Sequence, residues 1–170
     1  MGNPVASERP LARCFLVARP LPVSPPMGNP TAASVARRNT STKRRILVAE
    51  DDPEMRRVIL DALTEDGHDV YTVGDGAGLL IELARSDRFH YQTVDLVIAD
   101  IRMPLCTGLQ ALETIRGVRA RVPFLLMTAF GDEEVHARAK KLGATVLDKP
   151  FSIDKLRRVI AMLMEQRAAR

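Results

Sequence analysis

ILVAEDDPEMRR, at residues 46–57, is the stretch of sequence that decides the fold. It opens with four consecutive apolar residues, turns acidic at Glu50, and reaches Pro53, a residue type favoured in the first turn of a helix. A short apolar run without polar alternation is typical of a strand that is buried on both faces of a parallel sheet. The stretch therefore predicts a buried strand whose carboxyl end carries acidic side chains and leads directly into a helix.

The same arrangement recurs along the chain. Three further apolar runs end at or near a polar side chain: LVIA before Asp100, FLLM before Thr128, and VL shortly before Lys149. A fifth apolar segment lies at residues 70–73, and helical periodicity fills the intervals between the runs. Since crossovers between parallel strands are right-handed, these five strand–helix units predict an α/β fold, a doubly wound five-stranded parallel sheet with helices on both faces.

Two of the helices are predicted in more detail. Apolar residues recur with the helical period over residues 53–66, and Gly67 is placed to end that helix. The predicted core face of this helix consists of Met55, Val58, Ile59, Ala62 and Leu63. Asp75 is suited to be the N-cap of a helix that runs to about Ser86, and the segment Asp87–Thr93 is predicted to be a loop.

Polar side chains at the carboxyl ends of parallel strands are expected to converge, because sites in open α/β sheets form where those ends meet. The convergent set comprises three carboxylates, a hydroxyl and an ammonium: Glu50, Asp51, Asp100, Thr128 and Lys149. Carboxylates suit Mg²⁺, while a lysine and a hydroxyl can bind phosphoryl oxygens. A carboxylate can also be the nucleophile toward a phosphoryl donor. The residues therefore predict a Mg²⁺-dependent phosphoryl site.

The net positive charge and most of the prolines lie at the start of the chain. Of the 170 residues, the first 42 contain five arginines and one glutamate, so the formal net charge of +4 resides there and the remainder is neutral. Because this segment also contains seven of the eleven prolines and no periodicity, we expect residues 1–42 to be disordered. Met-Gly-Asn-Pro occurs at residue 1 and again at residue 27, by chance or because Met27 is the true start and residues 1–26 are not translated.

Several classes of function are disfavoured. No apolar stretch approaches the ~20 residues of a membrane span, so no membrane association is expected. The neutral balance of residues 43–170 gives no indication of nucleic-acid binding. Cys14 and Cys106 lie far apart in unlike contexts, which favours a reducing, cytoplasmic location over a disulfide.

The segments that carry these residues resemble the motifs of a known family. They are residues 46–57 (ILVAEDDPEMRR), 95–108 (DLVIADIRMPLCTG), 127–129 (MTA) and 148–151 (DKPF). Together they are similar to the response-regulator receiver domains of two-component signalling, of the single-domain, chemotaxis-regulator type. The resemblance covers residues 43–170 and implies the flavodoxin-like (βα)5 receiver fold with strand order 2-1-3-4-5. No output domain is expected.

This resemblance implies a role for each site residue. Asp100 would be the phosphoacceptor, and Thr128 and Lys149 would contact the transferred group. The implied Mg²⁺ ligands are Asp51 and Asp100 directly, Glu50 through water, and the backbone carbonyl of Arg102. The peptide bond between Lys149 and Pro150 would be cis, a state that proline makes accessible.

The resemblance also implies a signalling protein and not an enzyme that acts on other substrates. A histidine kinase or a histidine phosphotransfer protein would be the donor, and the phosphorylated domain would bind a further protein or pass the group on. A downstream protein target is expected at the last two helices and the final strand. Basic residues on those helices could bind an acidic surface of the target, but ordinary solvent-exposed helix faces explain them equally well. They are Arg138, Lys140, Lys141, Lys155, Arg157 and Arg158.

Two features depart from the family's usual pattern. Many receivers have Tyr or Phe where this chain has Val146, so an aromatic readout at the last strand is not expected. Arg102 and Phe130 flank the expected path of the attacking water, and we expect their bulk to slow hydrolysis of the acyl phosphate.

Other interpretations remain open. A Mg²⁺-dependent phosphohydrolase of the haloacid-dehalogenase type would require a second Asp two residues after the nucleophile, and Arg102 occupies that position. A phosphate-independent binding module would have no need of the acidic residues. Taken singly, Asp51 or Asp52 is explained as the helix N-cap ahead of Pro53.

Overall fold

The computed structural model describes residues 43–88, 94–118, 122–129 and 133–168. The predictions for residues 1–42 lie outside this part of the chain. Within it no helix is long and apolar enough to cross a membrane. Five strands alternate with five helices: β1 (Arg45–Ala49), α1 (Pro53–Glu65), β2 (Asp69–Val73), α2 (Gly76–Arg88), β3 (Leu96–Asp100), α3 (Gly108–Val118), β4 (Phe124–Thr128), α4 (Glu133–Lys141), β5 (Thr145–Asp148) and α5 (Ile153–Ala168).

The five strands form one parallel sheet in the order β2-β1-β3-β4-β5. This confirms the predicted doubly wound fold and its strand order. Every residue of β3 and β4 is buried, as are the last four residues of β1. Their uninterrupted apolar sequences follow from this burial, because a central strand covered on both faces has no side that meets water.

The two faces of the sheet have separate apolar layers. α1 and α5 cover one face, where side chains from β1, β3, β4 and β5 meet those of the two helices: Ile46, Val48, Ile59, Leu63, Leu96, Ile98, Leu125, Met127, Leu147, Leu156, Ile160 and Leu163. The alternate strand residues Leu47, Val97 and Leu126 are equally buried. Because successive strand residues point to opposite faces, these side chains pack beneath α2, α3 and α4.

The core-directed face of α1 was predicted correctly except at one position. Ile59, Ala62 and Leu63 are buried, and Met55 packs against the same apolar layer. Val58 was wrongly placed in the core, since its relative exposure is 50%. A helical residue is rotated by about 100° from its neighbour, so Val58 falls at the edge of the stripe that is centred on Ile59.

The observed ends of α1 and α2 agree in part with those predicted from the sequence. Gly67, with φ of 88°, adopts the left-handed conformation just after α1, as expected of a helix-ending glycine. The side chain of Asp75 accepts a hydrogen bond from the N–H of Gly78 at 2.7 Å, which confirms it as the cap of α2. α2 continues to Arg88, so the first two residues of the predicted loop are helical, because no glycine or proline stops the helix there. The rest of that loop, residues 89–93, lies outside the described residues.

α4 is anchored differently from its neighbour α5. Of the nine residues in α4, Ala139 alone is fully buried. α5 by contrast buries three leucine or isoleucine side chains. Polar contacts hold α4 on both sides, since Arg138 lies 2.6 Å from Glu113 of α3, and His136 Nε2 lies 2.9 Å from Asp148 of β5. α4 therefore packs on the sheet with less buried apolar surface of its own than α5, and polar contacts to both neighbours accompany that packing.

His68 lies just before β2, at the opposite end of the sheet from the acidic residues. Its Nδ1 atom is buried and has no hydrogen-bond partner among the described residues. Burial lowers the pKa of His68 from its ordinary value; the carboxylate of Asp66 opposes this shift and the charge of Arg44 adds to it. The folded state therefore disfavours the protonated ring.

Acid should destabilise the fold partly through His68. The pKa of His68 is lower in the folded chain than in the unfolded chain. Stability is therefore unaffected by this residue above the unfolded pKa, and it decreases as the pH falls below the unfolded pKa, because the unfolded chain then binds the proton more readily. We expect the free energy of unfolding to decrease less between about pH 7.5 and about pH 5.5 in His68→Gln than in the parent. Urea denaturation followed by circular dichroism measures this, since the chain has no Trp. Equal decreases in the two proteins would contradict the prediction.

Candidate functional site

The register of the sheet brings the predicted polar residues to one edge. The last residues that pair between β1 and β3 are alanines, so the residues that follow them, Glu50 and Asp100, lie level with one another. Thr128 ends β4 and pairs with the residue that precedes Lys149. Asp51 comes directly after Glu50. All five side chains named from the sequence are therefore at the carboxyl end of the sheet.

Three carboxylates form a compact cluster, which we call the acidic group: Glu50, Asp51 and Asp100. One oxygen of each lies within 4.8 Å of the others. Glu50 has a relative exposure of 1% and Asp100 of 7%, whereas Asp51 is exposed. Like charges at this spacing repel strongly where water is largely excluded, so the acidic group favours binding of cations.

Lys149 places an ammonium against the acidic group. Its Nζ atom lies 2.8 Å from Glu50 Oε2 and 3.3 Å from Asp100 Oδ2. Burial lowers the pKa of Lys149, but the hydrogen bond to Glu50 and the charges of Asp100 and Glu50 outweigh burial and raise it overall. Burial raises the pKa of Glu50, and Lys149 acts in the opposite direction. Lys149 therefore stays charged and balances one of the carboxylates.

The acidic group fits a divalent metal ion in its chemistry. Its donors are carboxylate oxygens, which hard cations such as Mg²⁺ prefer. With Lys149 balancing one carboxylate, a divalent ion would offset the charge of the other two. No other group of three His, Cys, Asp or Glu ligands is found in the part of the chain that the structure describes. The acidic group is thus the candidate metal site of the domain.

Asp52 has a structural role that is separate from the acidic group. Its Oδ1 atom accepts hydrogen bonds from the backbone N–H groups of Glu54 at 2.8 Å and Met55 at 3.3 Å, and Pro53 occupies the first turn of α1. The N-cap explanation that the sequence left open for two residues therefore applies to Asp52. Asp51 belongs to the acidic group instead.

Thr128 and Lys149 are joined where β4 and β5 end. Thr128 has a relative exposure of 1%, and its carbonyl accepts a hydrogen bond from the N–H of Lys149 at 2.6 Å. The peptide bond between Lys149 and Pro150 is cis, as the resemblance implied. Arg102 is exposed in the loop after Asp100, and the use of its backbone carbonyl as a metal ligand stays a prediction.

The loop between β3 and α3 depends on a close approach of two backbone segments. A Cβ atom on Gly108 would lie 2.3 Å from the carbonyl oxygen of Asp100, so a side chain there would displace the strand end that presents the acceptor. Thr107 and Gln110 cap the start of α3 reciprocally, with bonds of 2.9 and 3.1 Å between the side chain of one and the N–H of the other. The sequence identified Gly108 as part of a motif but did not predict this contact.

Arg56 was not predicted to take part in the site. From the second turn of α1, its Nη1 atom donates to the backbone carbonyl of Glu50 at 2.5 Å, and the carbonyl of Asp51 lies 3.4 Å away. The available signal was its location about one turn after the N-cap, because helical side chains lean back toward the N-terminus. Arg56 therefore contacts the backbone that carries two of the three carboxylates.

The surface expected to bind a downstream target is partly occupied by contacts within the domain. Of the six basic positions on α4 and α5, Arg138 pairs with Glu113, and Arg157 pairs with Asp66 at 2.7 Å. These two arginines are thus explained by contacts between helices. Val146 is half-buried in β5. A target site on α4, β5 and α5 stays a prediction.

The family profile of the response regulator receiver domain matches residues 46–161. The chain is 35% identical over 113 residues to the transcriptional regulatory protein TcrA of Mycobacterium tuberculosis, covering 66% of this chain and 42% of TcrA. It is 32% identical over 127 residues to the transcriptional regulatory protein FixJ of Bradyrhizobium diazoefficiens, covering 74% of this chain and 59% of FixJ. The chain therefore belongs to the response regulator receiver domain family of two-component systems.

Solved structures show the same fold. A receiver domain of a Francisella response regulator is 27% identical with a TM-score of 0.64, and the match covers 73% of this chain and 98% of that domain. The chemotaxis protein CheY4 of Vibrio cholerae is 25% identical with a TM-score of 0.64, at 72% and 99% coverage. TcrA and FixJ are longer than this chain, and the matches span about half of their length.

A matched pair of glycine substitutions in α3 should separate a backbone clash from ordinary helix propensity. In Gly108→Ala the methyl group would press on the Asp100 carbonyl, and we expect a loss of about 1–3 kcal/mol in the free energy of unfolding. In Gly117→Ala nothing lies within 4 Å, and we expect a gain of up to about 1 kcal/mol. Urea denaturation of both variants measures the difference. Equal stabilities would show that the loop tolerates the added methyl group.

Proposed function

We propose that this receiver domain accepts a phosphoryl group on Asp100 from a histidine kinase or a histidine phosphotransfer protein, in a Mg²⁺-dependent reaction. The observation that carries the proposal is the convergence of Lys149 and Thr128 on the acidic group, to which Asp100 belongs. A carboxylate that could be the nucleophile, an ammonium, a hydroxyl and carboxylates suited to a metal ion lie at one end of the sheet. Phosphoryl transfer depends mainly on such positioning and electrostatics.

Asp100 acts as the nucleophile in this proposal. One of its carboxylate oxygens attacks the phosphorus, the P–N bond of the donor's phosphohistidine breaks, and its electron pair returns to the imidazole, which takes up a proton from solvent. The product is an acyl phosphate on Asp100. Lys149, at 3.3 Å from the carboxylate, orients it and is placed to bind a phosphoryl oxygen. The Thr128 hydroxyl would donate to another oxygen of the group.

The acidic group prepares the site for a divalent ion. Asp51 and Asp100 would hold the ion directly, with Glu50 acting through water and Arg102 contributing its backbone carbonyl. When bound, Mg²⁺ supplies the positive charge that lets an anionic donor approach an anionic acceptor. Glu50, buried against Lys149, keeps that lysine fixed between two carboxylates.

The domain is proposed to act as a signalling protein that catalyses only its own phosphorylation and dephosphorylation. The phosphorylated form would bind a downstream protein at α4, β5 and α5, or would pass the phosphoryl group on, in the cytoplasm. The polar contacts of α4 support α4, β5 and α5 as the binding surface, because such contacts are rearranged more readily than a buried core. The phosphohydrolase alternative gains no support, since Arg102 stands where its second Asp would be needed.

The phosphoacceptor is tested by intact-protein mass spectrometry after incubation with acetyl phosphate and Mg²⁺. We expect a single phosphoryl adduct on the parent and none on Asp100→Asn, because the amide has no anionic oxygen to attack phosphorus. Omission of Mg²⁺ or addition of a chelator should also prevent the adduct. An adduct on Asp100→Asn, or none on the parent with either acetyl phosphate or phosphorylated histidine kinases, would contradict the proposal.

The side chain of Arg102 should lengthen the lifetime of the acyl phosphate. Arg102 is two residues after Asp100 and its side chain is exposed. From this location we expect its bulk to flank the path of water to the phosphorus. We expect Arg102→Ala to lose its phosphoryl group faster than the parent when the adduct is followed by mass over time. Phe130, the other residue named for this effect, lies outside the described residues.

The control for this lifetime measurement is the unfolded phosphoprotein. In strong denaturant the acyl phosphates of the parent and of Arg102→Ala should hydrolyse at the same rate, because no folded site shields them. A lifetime in the folded state that is unchanged or longer in Arg102→Ala would refute the shielding role.

A further inference from the structure

Arg56 links α1 to the turn that follows β1. Its Nη1 atom donates to the carbonyl oxygen of Glu50 at 2.5 Å and lies 3.4 Å from the carbonyl oxygen of Asp51. The side chain also lies against the end of β2, where a Cβ atom on Gly74 would be 3.4 Å from Nη1. The guanidinium is therefore confined between the ends of two strands and the helix that carries it.

The turn that Arg56 contacts determines the direction of two carboxylates. The N–H of Glu50 donates to the carbonyl of Val73 at 3.2 Å, which fixes one side of the turn to β2. Arg56 binds the carbonyl side of the same residue. Rotation of the peptide units at residues 50–51 would turn the Asp51 side chain away from Asp100, because a side chain's direction follows its backbone dihedral angles.

We propose that Arg56 is a positioning residue for the acidic group: by binding the Glu50 and Asp51 carbonyls, it holds the two carboxylates in the arrangement that binds Mg²⁺. The inference rests on the proposed function. It concerns the affinity for the ion and not the transfer step, so the two can be tested separately.

Positioning and simple electrostatics predict opposite effects of removing the Arg56 charge. A guanidinium near a cation site repels the cation, so loss of its charge alone would strengthen Mg²⁺ binding. Loss of positioning would weaken it, because the carboxylates would have to be ordered when the ion binds. The sign of the change therefore distinguishes the two explanations.

The experiment compares the parent with Arg56→Met and Arg56→Lys. Mg²⁺ is titrated into each by isothermal titration calorimetry without a phosphodonor, and initial rates of phosphorylation by acetyl phosphate are measured over a range of Mg²⁺ concentrations. For Arg56→Met we expect a Kd about tenfold higher, as for one lost charge-assisted hydrogen bond, with the rate at saturating Mg²⁺ within about twofold of the parent. Arg56→Lys should recover part of the affinity, because an ammonium can donate to the same carbonyls.

One matched variant controls the comparison. Arg57→Met makes the same change of charge on the next residue, which is exposed and lies 3.7 Å from Asp61, and should leave the Kd unchanged. If Arg56→Met proves unfolded by circular dichroism, Arg56→Lys decides the question.

Three results would overturn the positioning role. The first is an unchanged or tighter Kd in Arg56→Met, whatever its maximal rate, and the second is equal weakening in Arg57→Met. The third applies when Arg56→Met is unfolded and is a Kd of Arg56→Lys equal to that of the parent. If the parent binds Mg²⁺ but forms no acyl phosphate, the proposed function fails while the calorimetric comparison still decides the role of Arg56. A parent that binds no Mg²⁺ overturns both.

Discussion

The constraint on which this structure depends is electrostatic: carboxylates lie close together at the carboxyl end of an apolar sheet. Glu50 and Asp100 are almost completely buried, and ionised groups in such surroundings are unfavourable unless a partner offsets their charge. Lys149 is that partner, since it lies between the two carboxylates. Its ammonium is also the group that an incoming phosphoryl oxygen would meet. The contact that makes burial of the acidic residues tolerable is therefore also part of the proposed chemistry.

The rigidity of this end of the sheet comes from the central strands. β3 and β4 are buried along their whole length, so Asp100 and Thr128 are presented by backbone that is hydrogen-bonded to strands on both sides. The β3–α3 loop adds the close contact between Gly108 and Asp100. By contrast, Asp51 lies beyond β1 on an exposed turn, where its backbone is contacted by the Arg56 side chain instead of by a neighbouring strand. Side chains of one site are thus held by two different means.

The sequence was sufficient for the strands and for the five convergent residues, because both follow from simple patterns. Buried parallel strands leave apolar runs, and the residue at the end of each run is placed by the register. Val58 was mispredicted because the width of an apolar stripe depends on packing that one periodicity does not encode. The end of α2 was mispredicted because no glycine or proline marks it in the sequence. Arg56 was missed because its partners are backbone carbonyls, so its location one turn after the N-cap was the available signal and no partner residue pointed to it.

The shallow burial of α4 has a consequence for local stability. α4 itself contributes one fully buried alanine, so less of its own apolar surface opposes a local opening than in α5, and we expect this opening to require less free energy than global unfolding. The amide hydrogens of α4 would then exchange with solvent far faster than those of α5, whose three buried side chains must be hydrated first. We therefore expect the two helices at this edge of the domain to open in different cooperative units of unfolding.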